Sequence, residues 1–364
     1  MSRSDNDITR YDPAMKGSSR AHDDVDWLSP LEEPFQVIGL AWFTEERQYR
    51  RLPVVLDKKL EEAVGDSANH LSGAQIRFRT DSASLSIRVR LKGKADMVYM
   101  PATGQCGVDC YIGDVDRMWY MATTKYDWMQ SEYESVLYQN RPSSMETVTL
   151  YLPLFQGIDE LWIGVDQGAS LSAPPPFASN QKILLYGTSI TQGGYASRPA
   201  MAYPNILSRS MPLEIINLSF AGSGRAAPEA AQLISTISCP ACLILDYEAD
   251  GDPEEFQITL PEFITVYRTA HPVTPILVVS RLRYSLETHD PAWIREREEQ
   301  AAFQHKLVRR LREEGDRHIF FFDGSILLGS VDYDECTVDG KHPTDLGFQR
   351  MAEGLLGTIR TIVW

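Results

Sequence analysis

Two short segments, widely separated in a chain of 364 residues, hold side chains that together could carry out nucleophilic catalysis. The first is Tyr186-Gly187-Thr188-Ser189-Ile190-Thr191-Gln192-Gly193-Gly194, a serine among glycines directly after the apolar run 183–186. A serine just past a buried strand can present its hydroxyl at a sheet edge, although such glycine–serine loops are also common turn chemistry. Thr191 stands where a G-x-S-x-G elbow would place its second glycine, so that nucleophile motif is excluded. The second segment is Asp339-Gly340-Lys341-His342-Pro343-Thr344-Asp345-Leu346-Gly347-Phe348. A serine needs a nearby base to become nucleophilic near neutral pH, and an imidazole needs a carboxylate to fix its tautomer. Asp339 and His342, three residues apart and followed by a proline, offer both. A single histidine is by default a surface or helix-start residue, but none of the other six combines an expected strand end with so close an aspartate.

Two other patterns compete for a chemical reading. Gly222-Ser223-Gly224-Arg225-Ala226-Ala227 fits G-x-G-x-x-A between an expected strand and helix, and Asp246 ends the next strand. Those are the ingredients of a dinucleotide site: backbone approach to a pyrophosphate, a helix N-terminus, and an acid for the ribose. The motif belongs on the first strand of a nucleotide-binding half, however, and here it follows the second. It also leaves Ser189, Asp339 and His342 unexplained. Cys239-Pro-Ala-Cys242 matches C-x-x-C but runs into Leu243-Ile244-Leu245, so it precedes a strand instead of opening a helix. A zinc site joining it to Cys106 and Cys110 would have to bridge two domains. Reduced structural thiols, no metal and no cofactor are the expectation.

The elements that must position these loops fall into four stretches. Residues 1–33 are polar and charged and read as an arm or clasp across the next domain. Residues 34–171 alternate with period two, most clearly at 75–79 and 84–91, with further short runs at 107–113, 118–122, 147–152 and 161–165. That pattern predicts an antiparallel β-sandwich. A linker at 172–181 contains Pro174-Pro175-Pro176, whose prolines favour an extended connector. In 182–364, apolar runs at 183–186, 214–218, 242–245, 276–279 and 319–322 alternate with helix-like stretches at 203–210, 228–235, 253–270, 291–314 and 344–362. Pro228, Pro253 and Pro291 suit first-turn positions. Strand and helix alternating five times predicts a parallel sheet covered on both faces, an α/β/α three-layer domain. Ligands in such a sheet bind beyond the carboxyl ends of the strands, where both segments of the opening lie.

Charge narrows the partners. With 35 Lys+Arg against 50 Asp+Glu, the formal charge of −15 argues against nucleic acid or an anionic membrane. No apolar run approaches the ~20 residues needed to span a bilayer. The opening residues hold no apolar segment of the secretory kind, so a cytoplasmic location is expected. The Arg- and Glu-rich stretch 291–314 reads as a solvated helix face.

Taken together, Gly187-Thr188-Ser189-Ile190, the glycine-bearing loop 217–224 and Asp339-Gly340-Lys341-His342-Pro343 resemble the SGNH/GDSL hydrolases, with Thr188 where the family name has aspartate. Stretches 187–203 and 338–348 are similar to a bacterial branch in which a β-rich domain named for a G-x-D-L-Y motif precedes the hydrolase. Gly107-Val108-Asp109-Cys110-Tyr111 matches that motif with Cys for Leu. The resemblance implies a flavodoxin-like hydrolase domain with a five-stranded parallel sheet behind a jelly-roll-like sandwich. It implies that Ser189 attacks an ester carbonyl, His342 takes the proton and Asp339 orients the imidazole. The N–H groups of Ser189 and Gly222 would face the oxyanion. The family's third donor is an asparagine side chain, and the position here is Asp250, in Asp246-Tyr247-Glu248-Ala249-Asp250-Gly251. An ionised carboxylate accepts but cannot donate, and losing one such donor costs roughly 3–4 kcal/mol of transition-state stabilisation. A protonated Asp250, a shifted alignment and a slow or inactive protein stay open, with Ser223 available as a substitute donor.

The implied activity is hydrolysis of a small acyl ester, acetyl foremost, on a small molecule or oligosaccharide. A catalytically impaired carbohydrate-binding or scaffold protein and the dinucleotide reading are the alternatives. Self-association of the chain stays open.

Overall fold

The structure is a computed structural model that describes residues 11–12, 24–54, 62–222, 228–250 and 252–364. Its N-terminal part is built from β1 (Val25–Leu28), β2 (Gln36–Ile38), β3 (Gln75–Thr80), β4 (Leu85–Leu91), β5 (Asp109–Ile112), β6 (Trp119–Thr123), β7 (Glu132–Tyr138), β8 (Glu146–Tyr151), β9 (Ile158–Asp166) and β10 (Leu171–Ser172). These form two antiparallel sheets, ordered β1-β9-β4-β7 and β10-β3-β8-β5-β6, with β2 beside β3. Period two does the sorting: Leu85, Ile87, Val89 and Leu91 of β4 meet Ile76 and Phe78 of β3, Cys110 and Ile112 of β5, and Val148 and Leu150 of β8 in one core. Val25–Leu28, inside the stretch read as an arm, extends the first sheet by pairing with Asp166–Ile163. Most of 1–23 lies outside the described residues.

The C-terminal part carries β11 (Lys182–Gly187), β12 (Glu214–Asn217), β13 (Pro240–Asp246), β14 (Ile276–Val279) and β15 (Ile319–Phe322). All pair in parallel, in the order β12-β11-β13-β14-β15. Alternate residues feed opposite faces. Ile183, Leu185 and Ile244 pack under the helices Tyr203–Ser208 and Asp345–Val363, through Tyr203, Phe348, Met351 and Leu355. Leu184, Tyr186 and Leu245 pack under Pro228–Ile234, Pro253–Ala270 and Pro291–Glu313, through Ile234, Phe263, Tyr267 and Leu307. Both faces of each strand are therefore apolar, as a sheet covered twice requires. Chain order reverses at β11, which has β12 on one side and β13 on the other, so a crevice opens there at the strands' carboxyl ends. Among the described residues no helix is long and apolar enough to cross a membrane.

The two parts share their packing. Met100, Leu154 and Phe155 of the sandwich join one core of the parallel-sheet part, and Leu52 and Ala68 join the other. The second sheet turns its polar face to the parallel-sheet domain: Gln75 Nε2 donates to Ser208 Oγ at 3.1 Å, and the Tyr151 hydroxyl lies 3.2 Å from the same oxygen.

Candidate active site

β11 delivers Ser189 to the sheet edge. A Cβ at Gly187 would collide with Thr191 Oγ1 and the Asp246 carbonyl, so glycine alone lets the next turn sit tightly against the end of β13. Thr188 then caps the one-turn helix Ser189–Gln192, accepting from the Ile190 N–H at 3.4 Å. Threonine serves that position by the same oxygen chemistry as the aspartate of the family name. The first amides of a helix have no acceptor within it, which leaves the Ser189 N–H directed outward.

The loop before the last helix supplies the base. Val338 N–H donates to the His342 carbonyl at 2.8 Å, closing the loop on itself. Asp339 Oδ1 accepts the backbone N–H of Lys341 at 3.0 Å and of His342 at 2.8 Å. Its Oδ2 lies 2.8 Å from His342 Nδ1, and His342 Nε2 lies 2.8 Å from Ser189 Oγ. The carboxylate makes Nδ1 the protonated nitrogen and leaves the Nε2 lone pair for the hydroxyl. Partial burial alone would raise the Asp339 pKa. The backbone N–H and ring of His342, with the Lys341 N–H, outweigh it and hold the group below its ordinary value. The sequence-predicted Ser189, His342 and Asp339 thus form one hydrogen-bonded line. Tyr195, in the left-handed region at φ 75, sets its ring edge-on to His342 with centroids 4.5 Å apart.

Gly222, at φ 67, ends the described part of the loop after β12, and no atom of the described residues lies within 4 Å of where its Cβ would be. Asn217 Nδ2 ties that loop to the Thr191 carbonyl at 2.8 Å and to Ser72 Oγ at 3.1 Å. Gln192 Oε1 accepts from the Ala221 N–H at 2.9 Å, and Gln192 Nε2 reaches the Leu154 carbonyl and His70 Nδ1, each at 3.2 Å. Burial, then the charge of Arg51, drives the His70 pKa down to about 3, so the ring is neutral and can accept. Ser223 and the rest of the G-x-G-x-x-A stretch lie outside the described residues. Asp246, the acid of that pattern, spends Oδ2 on the Tyr203 hydroxyl and Thr191 Oγ1, both at 2.8 Å. Burial raises its pKa to about 6.

Asp250 ends the turn Glu248–Asp250 after β13, partly exposed, close enough to raise the pKa of Tyr284 by its charge. Glu248 points inward instead. It accepts from the Arg281 N–H at 2.8 Å and from Gln304, and burial lifts its pKa to about 7. Arg283 stacks on Tyr333 at 3.8 Å.

The G-x-D-x-Y residues have a structural task. Asp109, fully buried, accepts from Arg198 Nη1 at 2.9 Å, the Ala200 N–H at 2.8 Å and Thr123 Oγ1 at 2.6 Å. The Tyr111 hydroxyl accepts from the same Arg198 nitrogen at 2.9 Å. The motif therefore grips the segment that follows Ser189. All five cysteines are free thiols, with Cys239 exposed at the start of β13, the far end of the sheet from Ser189. Gln192, Tyr195, His70 and Arg51 were not among the expected site residues. Gln192 lay inside the serine loop, at the end of the helix Ser189–Gln192, and that proximity to Ser189 was the signal that could have found it.

Two family profiles match the chain: the N-terminus of the esterase SGNH-hydrolase type, GxDLY, over residues 25–171, and the GDSL-like lipase/acylhydrolase family over 180–360. A solved GDSL-like lipase from Bacteroides ovatus is 28% identical, with TM-score 0.85 over 93% of this chain and 98% of that one. A salicylyl-acyltransferase from a tetracycline biosynthetic pathway is 20% identical, with TM-score 0.75 over 94% and 98%. An acetyl xylan esterase from the rumen bacterium Butyrivibrio proteoclasticus shares the fold at 13% identity, with TM-score 0.58 over 92% and 98%. No curated protein matches.

Proposed function

The chain belongs to the SGNH/GDSL hydrolases, in the branch with a GxDLY-type N-terminal domain, and from that premise we propose that it hydrolyses small acyl esters through an acyl-enzyme on Ser189. The observation that carries the reading is the hydrogen-bonded line Ser189 Oγ–His342 Nε2–Asp339, each link 2.8 Å. In the proposed cycle His342 Nε2 takes the hydroxyl proton as Ser189 Oγ bonds to the ester carbonyl carbon. The carbonyl electron pair moves to oxygen, where the N–H groups of Ser189 and Gly222 stabilise it. Collapse breaks the bond to the alcohol, which leaves with the proton from Nε2. Water then repeats the sequence and releases the acid. Asp339 keeps its charge throughout and stabilises the imidazolium.

The substrate proposed is an acetyl ester on a sugar or oligosaccharide, a choice supported by neighbours described as acetyl xylan and carbohydrate esterases. Acyl-length profiling with p-nitrophenyl esters beside acetylated xylo- and manno-oligosaccharides tests it, with Ser189→Ala as blank. Turnover that rises with acyl length, or that ignores the oligosaccharides, rejects the acetyl-sugar part. Asp250 motivates a second reading, a catalytically impaired binding protein. That reading predicts no p-nitrophenyl acetate turnover and no labelling of Ser189 by a fluorophosphonate.

A further inference from the structure

Arg51 lies between the helix Phe43–Glu46 and the helix Glu62–Ser67, in the N-terminal part of the chain, and is completely buried. Among the described residues its acceptors are all backbone carbonyls. Nε donates to His70 O at 2.8 Å and Nη2 to Ser67 O at 2.8 Å. Nη1 donates to Ser219 O at 2.5 Å and reaches Asn217 O at 3.5 Å. The guanidinium also lies over the Phe220 ring at 4.5 Å. Burial pulls its pKa down to about 9, which still leaves it charged at neutral pH.

A buried cation with no carboxylate beside it among the described residues is an expensive device for packing alone, since a neutral side chain would fill the space at no desolvation cost. The placement of its bonds gives it a purpose. β12 is an edge strand, so the loop that follows it is supported by β11 on one side only. Arg51 supplies the other side. Its planar fork joins two carbonyls of the N-terminal segment to two carbonyls of that loop, a bidentate geometry that lysine cannot reproduce. The loop's described part ends at Gly222, two residues beyond the stacked Phe220. His70 and Ser72 act on the same region, through Gln192 to the Ala221 N–H and through Asn217.

We propose that Arg51 is a positioning residue for the reaction: it fixes the loop 217–222 so that the Gly222 N–H faces the developing oxyanion. The sandwich side of the molecule thereby completes a donor site borne by the hydrolase sheet. This inference rests on the esterase reading above. One mispositioned oxyanion donor lowers kcat by roughly 10²-fold while leaving ground-state binding nearly intact.

The test uses the full chain with p-nitrophenyl acetate. Arg51→Lys and Arg51→Met are expected to lower kcat about 10- to 100-fold with KM within about 2-fold of wild type. The acid limb of the pH–rate profile stays where it was, because the serine–histidine line is untouched. Amide hydrogen exchange quickens at 218–222 while β13 and β14 keep their protection. Variants with wild-type kcat, or with protection lost across the whole sheet and KM and kcat changed together, overturn the role. If both Arg51 variants fail to fold, Phe220→Leu decides. It removes the ring beneath the cation, and an unchanged kcat there overturns the proposal, whereas a kcat loss with KM intact supports it. Wild-type protein that turns over no ester removes the esterase reading and the positioning role with it; an active wild type beside fully active variants removes the positioning role alone.

Discussion

Replacing Asp339 by asparagine changes one atom and reverses the polarity of the imidazole. Oδ1 accepts two backbone N–H groups, from Lys341 at 3.0 Å and His342 at 2.8 Å, whereas among the described residues Oδ2 faces Nδ1 alone. The amide must therefore keep its oxygen on the two backbone donors; the flipped rotamer would set its own N–H groups against both. Its NH2 then points at Nδ1 and donates to it, which forces the proton onto Nε2. That nitrogen can no longer accept from Ser189 Oγ. The base is lost while nearly every contact of the loop persists, and kcat is expected to fall by about 10³–10⁴, or roughly 4–5.5 kcal/mol of barrier. Thermal unfolding of the variant should show only a modest loss at neutral pH, since both backbone bonds remain and only the carboxylate's charge is removed. Initial rates with p-nitrophenyl acetate, alongside a thermal scan, measure both. A kcat within tenfold of wild type in a folded Asp339→Asn protein would refute the tautomer argument.

Three further outcomes are expected. If Asp250 occupies the third donor position, Asp250→Asn restores an amide donor there and raises kcat, by up to about 10²-fold; an unchanged kcat places Asp250 outside the oxyanion site. Asp246 has a folded pKa of about 6 against an ordinary 3.8, so the stability it confers is complete below its unfolded pKa and is lost as pH rises through about 6. Asp246→Asn should consequently gain of order 2–3 kcal/mol relative to wild type between pH 4 and pH 8, read by urea denaturation; a pH-independent difference contradicts this. Arg198→Met leaves Asp109 buried without its cation and is expected to cost about 3 kcal/mol, seen as a lowered midpoint of unfolding.

The parallel sheet was legible because each of its strands is a short run of residues apolar on both faces, and Pro253 and Pro291 open their helices as the first-turn rule suggests. In the sandwich, β7 escaped notice. Its inward positions include Ser135, whose Oγ accepts the Lys125 N–H at 3.0 Å, and its partly exposed positions include Val136, so polarity does not track burial there. The serine, histidine and aspartate were readable as two local motifs. The support around Gly222 was not, because Arg51, His70 and Ser72 lie in irregular segments more than a hundred residues away from the atoms they hold. No periodicity encodes such contacts; they arise only when the sandwich packs against the edge of the parallel sheet.

A fluorophosphonate probe tests the nucleophile most directly. Treatment of the wild-type chain should place one phosphonyl group on the peptide containing Ser189, with ester hydrolysis lost in step with labelling and neither event seen in Ser189→Ala. Undiminished hydrolysis by Ser189→Ala, or a probe attached to a different residue as activity disappears, would contradict the assignment.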